Sequence, residues 1–341
     1  MSVGVAVIGY GYWGANLARN VAAAPTTELV GVADLGAEQR KAAAASHGGI
    51  VVWETIQQAL DDPCVEAVVV ATPASTHAEL ALLAMEHGRD VLVEKPLAET
   101  LVEAERLNQV ASATDRILMV GHTFLYSPPV LKLGELIAAG DLGAIQYLYS
   151  QRLSLGRIRR DCNALWNLAP HDVSIMLHLL QERVVEVSAK GFSFIEPGID
   201  DVCFASLTFE SGIGANIHVS WIDPQKTRLL TVVGDEKMAI YNDVSVDKPL
   251  WLVDAGVARD TDLGEYESMS DFQWRTRAGD IVIPRIEMSE PLRHEMHAFG
   301  LACQTRQEPR TNGAHGIEVV RVLEAIDRSV VGQGQPVEVS L

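Results

Sequence analysis

The chain has 341 residues, 48% hydrophobic and 21% charged, which is an ordinary balance for a globular protein with more than one core. Its formal net charge of −18 repels phosphate backbones and anionic headgroups, so neither nucleic acid nor a membrane surface is an expected partner. Cys64, Cys162, Cys203 and Cys303 lie far apart with no C-x-x-C pair, a pattern of reduced thiols rather than of a zinc site or disulfide framework. Met1-Ser2 runs straight into an apolar strand, and no apolar run reaches bilayer length. A cytoplasmic protein is therefore expected.

The first third alternates short β-branched runs with helical stretches, the grammar of βαβ units on a parallel sheet. Strands are predicted over residues 3–8, 29–33, 50–52, 67–71, 91–93 and 117–120, with helices over 14–24, 37–46, 55–60, 76–86 and 100–113. Beyond Gly121 a helix at 128–139, a strand at 145–153 and a helix at 168–180 precede longer alternating runs at 184–194, 202–209, 214–221 and 228–233. That pattern suits one large, mainly antiparallel sheet. Amphipathic helices at 290–304 and 315–330 close the chain, and residues 244–283 show too little periodicity for an assignment. The expected fold class is α/β: a doubly wound Rossmann domain at 1–122, then an α+β domain at 123–341 for substrate binding and oligomerisation.

Gly9-Tyr10-Gly11-Tyr12-Trp13-Gly14 satisfies G-x-G-x-x-G between a predicted strand and a predicted helix, the context in which the pattern means more than a glycine-rich turn. Gly9 allows the tight turn, Gly11 lets the backbone approach a pyrophosphate, and Gly14 lets helix and strand pack closely. Asp34 ends the second strand about 20 residues on, where a carboxylate bonds the ribose hydroxyls and repels a 2′-phosphate. NAD is therefore expected, and only Arg40 and Lys41 speak for NADP. Ala71-Thr72-Pro73 and Glu94-Lys95-Pro96 end the fourth and fifth strands at the same carboxyl edge, where ligands of open α/β sheets bind. A partly desolvated lysine beside a cationic ring suits proton transfer near neutral pH.

With Ala71 to His77 reading A-T-P-x-x-x-H, E-K-P at Glu94 to Pro96 and a later helix bearing a histidine, the chain resembles the Gfo/Idh/MocA oxidoreductases over its whole length. Asn16 beside the tyrosine-tryptophan fingerprint, His122-Thr123-Phe124-Leu125-Tyr126 and Leu165-Trp166-Asn167-Leu168-Ala169-Pro170-His171-Asp172 are similar to one branch of bacterial sugar-nucleotide enzymes, typified by UDP-N-acetylglucosaminuronate 3-dehydrogenase. Pro291-Leu292-Arg293 and Thr311 to Gly313 fit the same branch. The resemblance implies Lys95 and His171 as catalytic residues, and a cofactor-binding set of Gly9, Tyr10, Gly11, Tyr12, Trp13, Gly14, Asp34, Thr72, Pro73, His77, Glu94, Lys95, Pro96, His122 and Trp166. It implies substrate contacts from Lys95, Phe124, Tyr126, Arg152, Arg157, Asn163, Asn167 and His171. Hydride would pass between C3 of a sugar nucleotide and the nicotinamide, giving a 3-keto sugar, with a 2-oxo acid as an optional co-substrate that recycles NADH. A homo-oligomer, dimer or tetramer, is also implied.

Where the wider family carries aspartate four residues before the histidine, this chain has Asn167, which can orient His171 but adds no charge to an imidazolium. Arginines crowd Gln151 to Arg160 in an otherwise acidic chain, fitting either a diphosphate or a solvated charge run. His294-Glu295-Met296-His297 lacks H-E-x-x-H spacing and a third ligand, so it reads as a helix surface and no metal is expected. Two rival functions stay open: a 3-ketoreductase of deoxysugar or antibiotic biosynthesis, and a non-catalytic dinucleotide sensor. Asp34 argues against the first, and retention of Lys95 with His171 argues against the second.

Overall fold

The computed structural model describes residues 2–156, 158–259 and 274–340. Their contacts form two compact units, Met1–Ser127 with Ser289–Glu324, and Pro128–Met288 with Ala325–Leu341. The first unit is built on β1 (Val3–Ile8), β2 (Thr27–Ala33), β3 (Val51–Trp53), β4 (Ala67–Val70), β5 (Asp90–Glu94) and β6 (Leu118–Gly121), in the order β3-β2-β1-β4-β5-β6. Every pairing is parallel. Strands β1, β4, β5 and β6 are buried at every residue, which explains their continuous apolar runs. Between strands lie α1 (Tyr12–Ala23), α2 (Ala37–Ser46), α3 (Ile56–Leu60), α4 (His77–Glu86) and α5 (Leu101–Thr114). Thr55 opens α3 with a capping box to Gln58, and the Thr100 side chain accepts from the Glu103 amide at the start of α5. Because the chain steps outward from β1 to β3 and then returns beside β1 as β4, the order reverses between β1 and β4. That is where doubly wound sheets open a ligand crevice.

The second unit contains α6 (Pro128–Ala138), β7 (Ile145–Leu155), α7 (Ala164–Leu180), β8 (Val184–Phe192), β9 (Val202–Phe209), β10 (Gly214–Ser220), β11 (Ile222–Gly234), β12 (Met238–Asn242), β13 (Leu250–Arg259), β14 (Trp274–Val282) and β15 (Val337–Glu338). Its nine described strands are ordered β14-β13-β12-β11-β7-β10-β9-β8-β15. Among the described residues only β7 and β10 pair in parallel, so the sheet is mainly antiparallel, as the alternating runs predicted. Strands β13 and β14 fall in the stretch left unassigned, and the reason is physical. Residues 276–282 of the edge strand β14 are all exposed, so no buried face imposes a period of two. Along β7, β8 and β9 the outward positions carry Tyr147, Tyr149, Phe192 and Phe204, all exposed.

Helices α8 (Pro291–Thr305) and α9 (Gly313–Val331) follow, and Ser289–Glu324 packs with the first unit rather than with the residues preceding it. Thr26 Oγ1 donates to His297 O at 2.9 Å and the Val120 amide to Thr311 O at 2.8 Å. A Cβ at Gly300 would stand 2.5 Å from Thr26 Oγ1, so glycine lets α8 lie this close to the start of β2. A single boundary near residue 122 does not anticipate this return, because helix periodicity says that a face is buried but not against which sheet. Among the described residues no helix is long and apolar enough to cross a membrane.

Candidate active site

The fingerprint turn joins β1 to α1 with Gly9 at φ +93°, a left-handed conformation that favours glycine. A Cβ on Gly14 would fall 2.0 Å from Gly9 O, so glycine is required there for the helix to start against the turn. At Gly11, by contrast, a Cβ would meet nothing within 4 Å, which leaves bare backbone at the helix N-terminus. This cradle fits a pyrophosphate. Asp34 is fixed beside it: Oδ2 accepts from the Tyr10 amide at 2.6 Å and Oδ1 from the Gly36 amide at 2.8 Å. Arg40, one of the two residues that argued for NADP, donates to Asp34 O and Leu35 O at 2.7 and 2.9 Å. Tyr12 is 88% exposed, whereas the Tyr10 ring is buried and meets His47 edge-on.

Thr72-Pro73 and Lys95-Pro96 follow neighbouring strands, and the latter peptide is cis. His77, 1% exposed, ties the two turns together, with Nδ1 2.8 Å from Pro96 O and Nε2 2.9 Å from Thr72 O. Burial holds its pKa below the usual imidazole value despite both carbonyls. His77 is thus a strut between the two loops. Lys95 is half-buried where β5 ends. Beside it the Glu94 carboxyl accepts the Trp13 indole N–H on Oε1 and the Lys95 amide on Oε2. His122, beyond β6, is buried with its ring edge-on to His315 of α9, 5.4 Å between centroids, and desolvation holds its pKa well below the usual value. Tyr126, expected at the substrate, is buried instead: its hydroxyl lies 3.1 Å from Thr311 Oγ1 and Arg310 stands over its ring. Burial raises its pKa. Phe124 is half-buried in the preceding 3-10 turn, Thr123–Tyr126.

In the second unit α7 begins one turn earlier than the sequence predicted, because Asn163 caps it by accepting from the Trp166 amide at 3.0 Å. Asn163, Asn167 and His171 then recur at a spacing of four along one helix face. Asn167 Oδ1 accepts from Trp221 Nε1 at 3.1 Å, so the amide four residues before His171 is held by a buried indole. Trp166 donates its indole N–H to Asp327 of α9. Arg152 is 5% exposed and bidentate to Asp172, Nε to Oδ2 at 2.8 Å and Nη2 to Oδ1 at 3.1 Å. Its guanidinium therefore braces the residue next to His171. Arg159 pairs with Asp161 and Arg160 with Glu196, so these members of the arginine cluster are balanced locally. Arg157 lies outside the described residues.

Several contributors escaped the sequence reading. Asp172, the partner of Arg152, carried no motif of its own apart from its histidine neighbour. Glu295 and Met296 are 0% exposed, which corrects the assignment of His294-Glu295-Met296-His297 to a helix surface. The face they occupy packs on the first unit's 3-10 turn, where Thr123 Oγ1 donates to Glu295 Oε2 at 2.8 Å. A glutamate at an apolar position of the helical period would have been the available signal.

Residues 3–122 match the model of an oxidoreductase family with an NAD-binding Rossmann fold, GFO/IDH/MocA, and residues 130–240 match the C-terminal domain model of the same family. The chain belongs to this family. It is 30% identical over 234 residues to the UDP-N-acetylglucosamine 3-dehydrogenase of Acidithiobacillus ferrooxidans, covering 68% of this chain and 72% of that one. It is 33% identical over 189 residues to the 1-carboxy-3-chloro-3,4-dihydroxycyclohexa-1,5-diene dehydrogenase of Comamonas testosteroni, a match covering 52% of this chain and about half, 46%, of that protein. The solved structure of GenD2 from gentamicin A biosynthesis, in complex with NAD, superposes with a TM-score of 0.81 at 25% identity, covering 100% of this chain and 97% of that one. The protein is an NAD-binding oxidoreductase, and the glycine cradle with Asp34 is where its residues fit the dinucleotide.

Proposed function

We propose that this enzyme oxidises a ring-borne secondary hydroxyl of a sugar nucleotide, at C3, to the ketone. The observation that carries the reading is the set of loops in the first unit: the fingerprint cradle, the fixed Asp34 carboxylate and half-buried Lys95 all follow carboxyl ends of strands of one parallel sheet, β1, β2 and β5. The UDP-N-acetylglucosamine 3-dehydrogenase relative supports the substrate class. NAD, when bound, accepts the hydride at its nicotinamide C4. Lys95 or His171 takes the hydroxyl proton, and Asn167 orients the imidazole from one turn away. Arg152, through its buried pair with Asp172, fixes the helix turn that presents His171 rather than binding the diphosphate itself. The relation to GenD2 favours a second setting for the same chemistry, secondary-metabolite sugars. A homo-oligomer is part of the proposal, with the aromatic outer positions of the large sheet as its interface.

The test is a panel of UDP-sugars, free hexoses and cyclitols, followed by NADH absorbance, beside calorimetry of NAD and NADP. We expect turnover on a UDP-sugar, tighter NAD binding, and a narrower gap between the cofactors in Asp34→Ala. Turnover confined to free rings would overturn the sugar-nucleotide assignment, and no NADH from any member would sink the dehydrogenase reading.

A further inference from the structure

The first unit buries two interacting carboxyls, Glu94 beside Lys95 and Glu295 near Glu94, and the family motifs explain only the first. Glu94, 7% exposed, lies over Gly121 so closely that a Cβ there would stand 3.0 Å from its Cδ. Its oxygens are both used, one by the Trp13 indole N–H and the other by the Lys95 amide at 3.1 Å. Glu295, from α8, is 0% exposed; Thr123 donates to Oε2, while Oε1 has no hydrogen-bond partner among the described residues. The groups that face the pair are Trp13 from α1, Lys95 after β5 and Thr123 after β6, and beyond Lys95 stand His122 and, against it, His315 from α9.

Two carboxyls in one dry cluster do not both ionise cheaply. Burial pushes Glu94 up to about 7, opposed by the Trp13 bond and by the Lys95 charge. Glu295 is driven well above the carboxylate range, by burial first and then by the charge on Glu94, against only the Thr123 bond. The anion therefore settles on Glu94 and the proton on Glu295.

We propose that Glu94 is a positioning residue that clamps Trp13 of the fingerprint helix to the strand end carrying Lys95, with Glu295 as its neutral companion. The clamp spans the two places where a dinucleotide and a proton-transferring lysine meet the first unit, and it rests on the reading of Lys95 given above. Protonating Glu94 replaces a charge-assisted indole bond by a neutral one and removes the anion beside Lys95. Below about pH 7 the fingerprint helix and the lysine are thus held less firmly to one another.

Tryptophan-labelled protein tests this without turnover. The indole N–H resonance that disappears in Trp13→Phe should titrate in the wild type with a midpoint near pH 7, stop titrating in Glu94→Gln, and keep its midpoint in Glu295→Gln. In parallel, Trp13→Phe and Glu94→Ala should each weaken NADH binding at pH 8 by roughly tenfold, the loss of one charge-assisted bond. The double variant should bind no worse than the weaker single one. Additive losses, a Trp13 resonance indifferent to pH, or a titration abolished by Glu295→Gln and spared by Glu94→Gln would each overturn the clamp. An enzyme that oxidises no sugar hydroxyl yet meets these expectations sinks the substrate reading and leaves the clamp standing. Where turnover is found, Glu94→Gln should also remove the pH limb near 7 from kcat while leaving the substrate KM within about twofold.

Discussion

At the scale of single residues, Lys95 and His171 carry different chemistry: an amine at the end of a buried strand, and an imidazole one turn beyond an amide held by Trp221. If both serve one proton transfer, Lys95→Ala and His171→Ala should each lower kcat by about 10²-fold or more. The double variant should then fall well short of the product of the two losses. NADH affinity, followed by calorimetry, should stay within a few-fold for His171→Ala. Asn167→Asp gives the sign of the charge effect. The new carboxylate can still accept the Trp221 N–H, and its charge favours imidazolium, so the kcat limb belonging to His171 should move to higher pH. A limb that stays in place would show that His171 does not titrate in the working range. Both residues were legible in the sequence through their motifs. The cap on α7 by Asn163 and the Tyr126–Thr311 contact were not, since each depends on which partner the fold delivers.

Among the elements, α7 shows how a helix can be locked from its neighbour. The Arg152–Asp172 pair joins β7 to α7 with both side chains almost wholly buried, at 6% and 3% exposure. Removing one partner strands a charge in a dry site, so Arg152→Met should destabilise the fold by about 3–5 kcal/mol in denaturant titration. Arg152→Met with Asp172→Leu should recover most of that loss, because two apolar groups leave no uncompensated charge. Equal damage from the single and double variants would mean that the pair contributes by packing alone. The same ion pair gives Arg152 a setting that neither sequence reading offered, since it is neither solvated nor in an open anion site but buried against Asp172. A residue in an arginine-rich run looks free for an anionic substrate until its partner is known, and the partner lies 20 positions away.

For the whole molecule, the outward positions of the large sheet raise the question of what covers them. Tyr147 and Tyr149 stack at 6.3 Å, Phe192 meets Phe194 and Phe204, and Phe204 stacks on His218 at 4.2 Å. These rings form an apolar patch of the kind that marks protein interfaces. Sedimentation should therefore give a mass two or four times the 37.0 kDa of the chain. Phe204→Glu and Tyr149→Glu, at positions 43% and 39% exposed, should shift it toward the monomer without unfolding the sheet. A wild-type monomer at micromolar concentration would remove this assignment.

The sequence by itself determined the βαβ succession, the fingerprint with Asp34, and the loops that end β4 and β5. In each of these the chemistry is local, because a turn needs its glycine and a buried parallel strand needs its apolar run within a few residues. It also carried the α+β character of the second unit, through alternation wherever one strand face is buried. It could not carry β13 and the edge strand β14, the return of residues 289–324 to the first sheet, or the partners that close around Glu295. Those were decided by tertiary structure alone. An exposed strand imprints no period on its residues, a helix does not encode which surface its apolar stripe will cover, and a carboxyl becomes a buried, proton-holding group only when distant elements close around it.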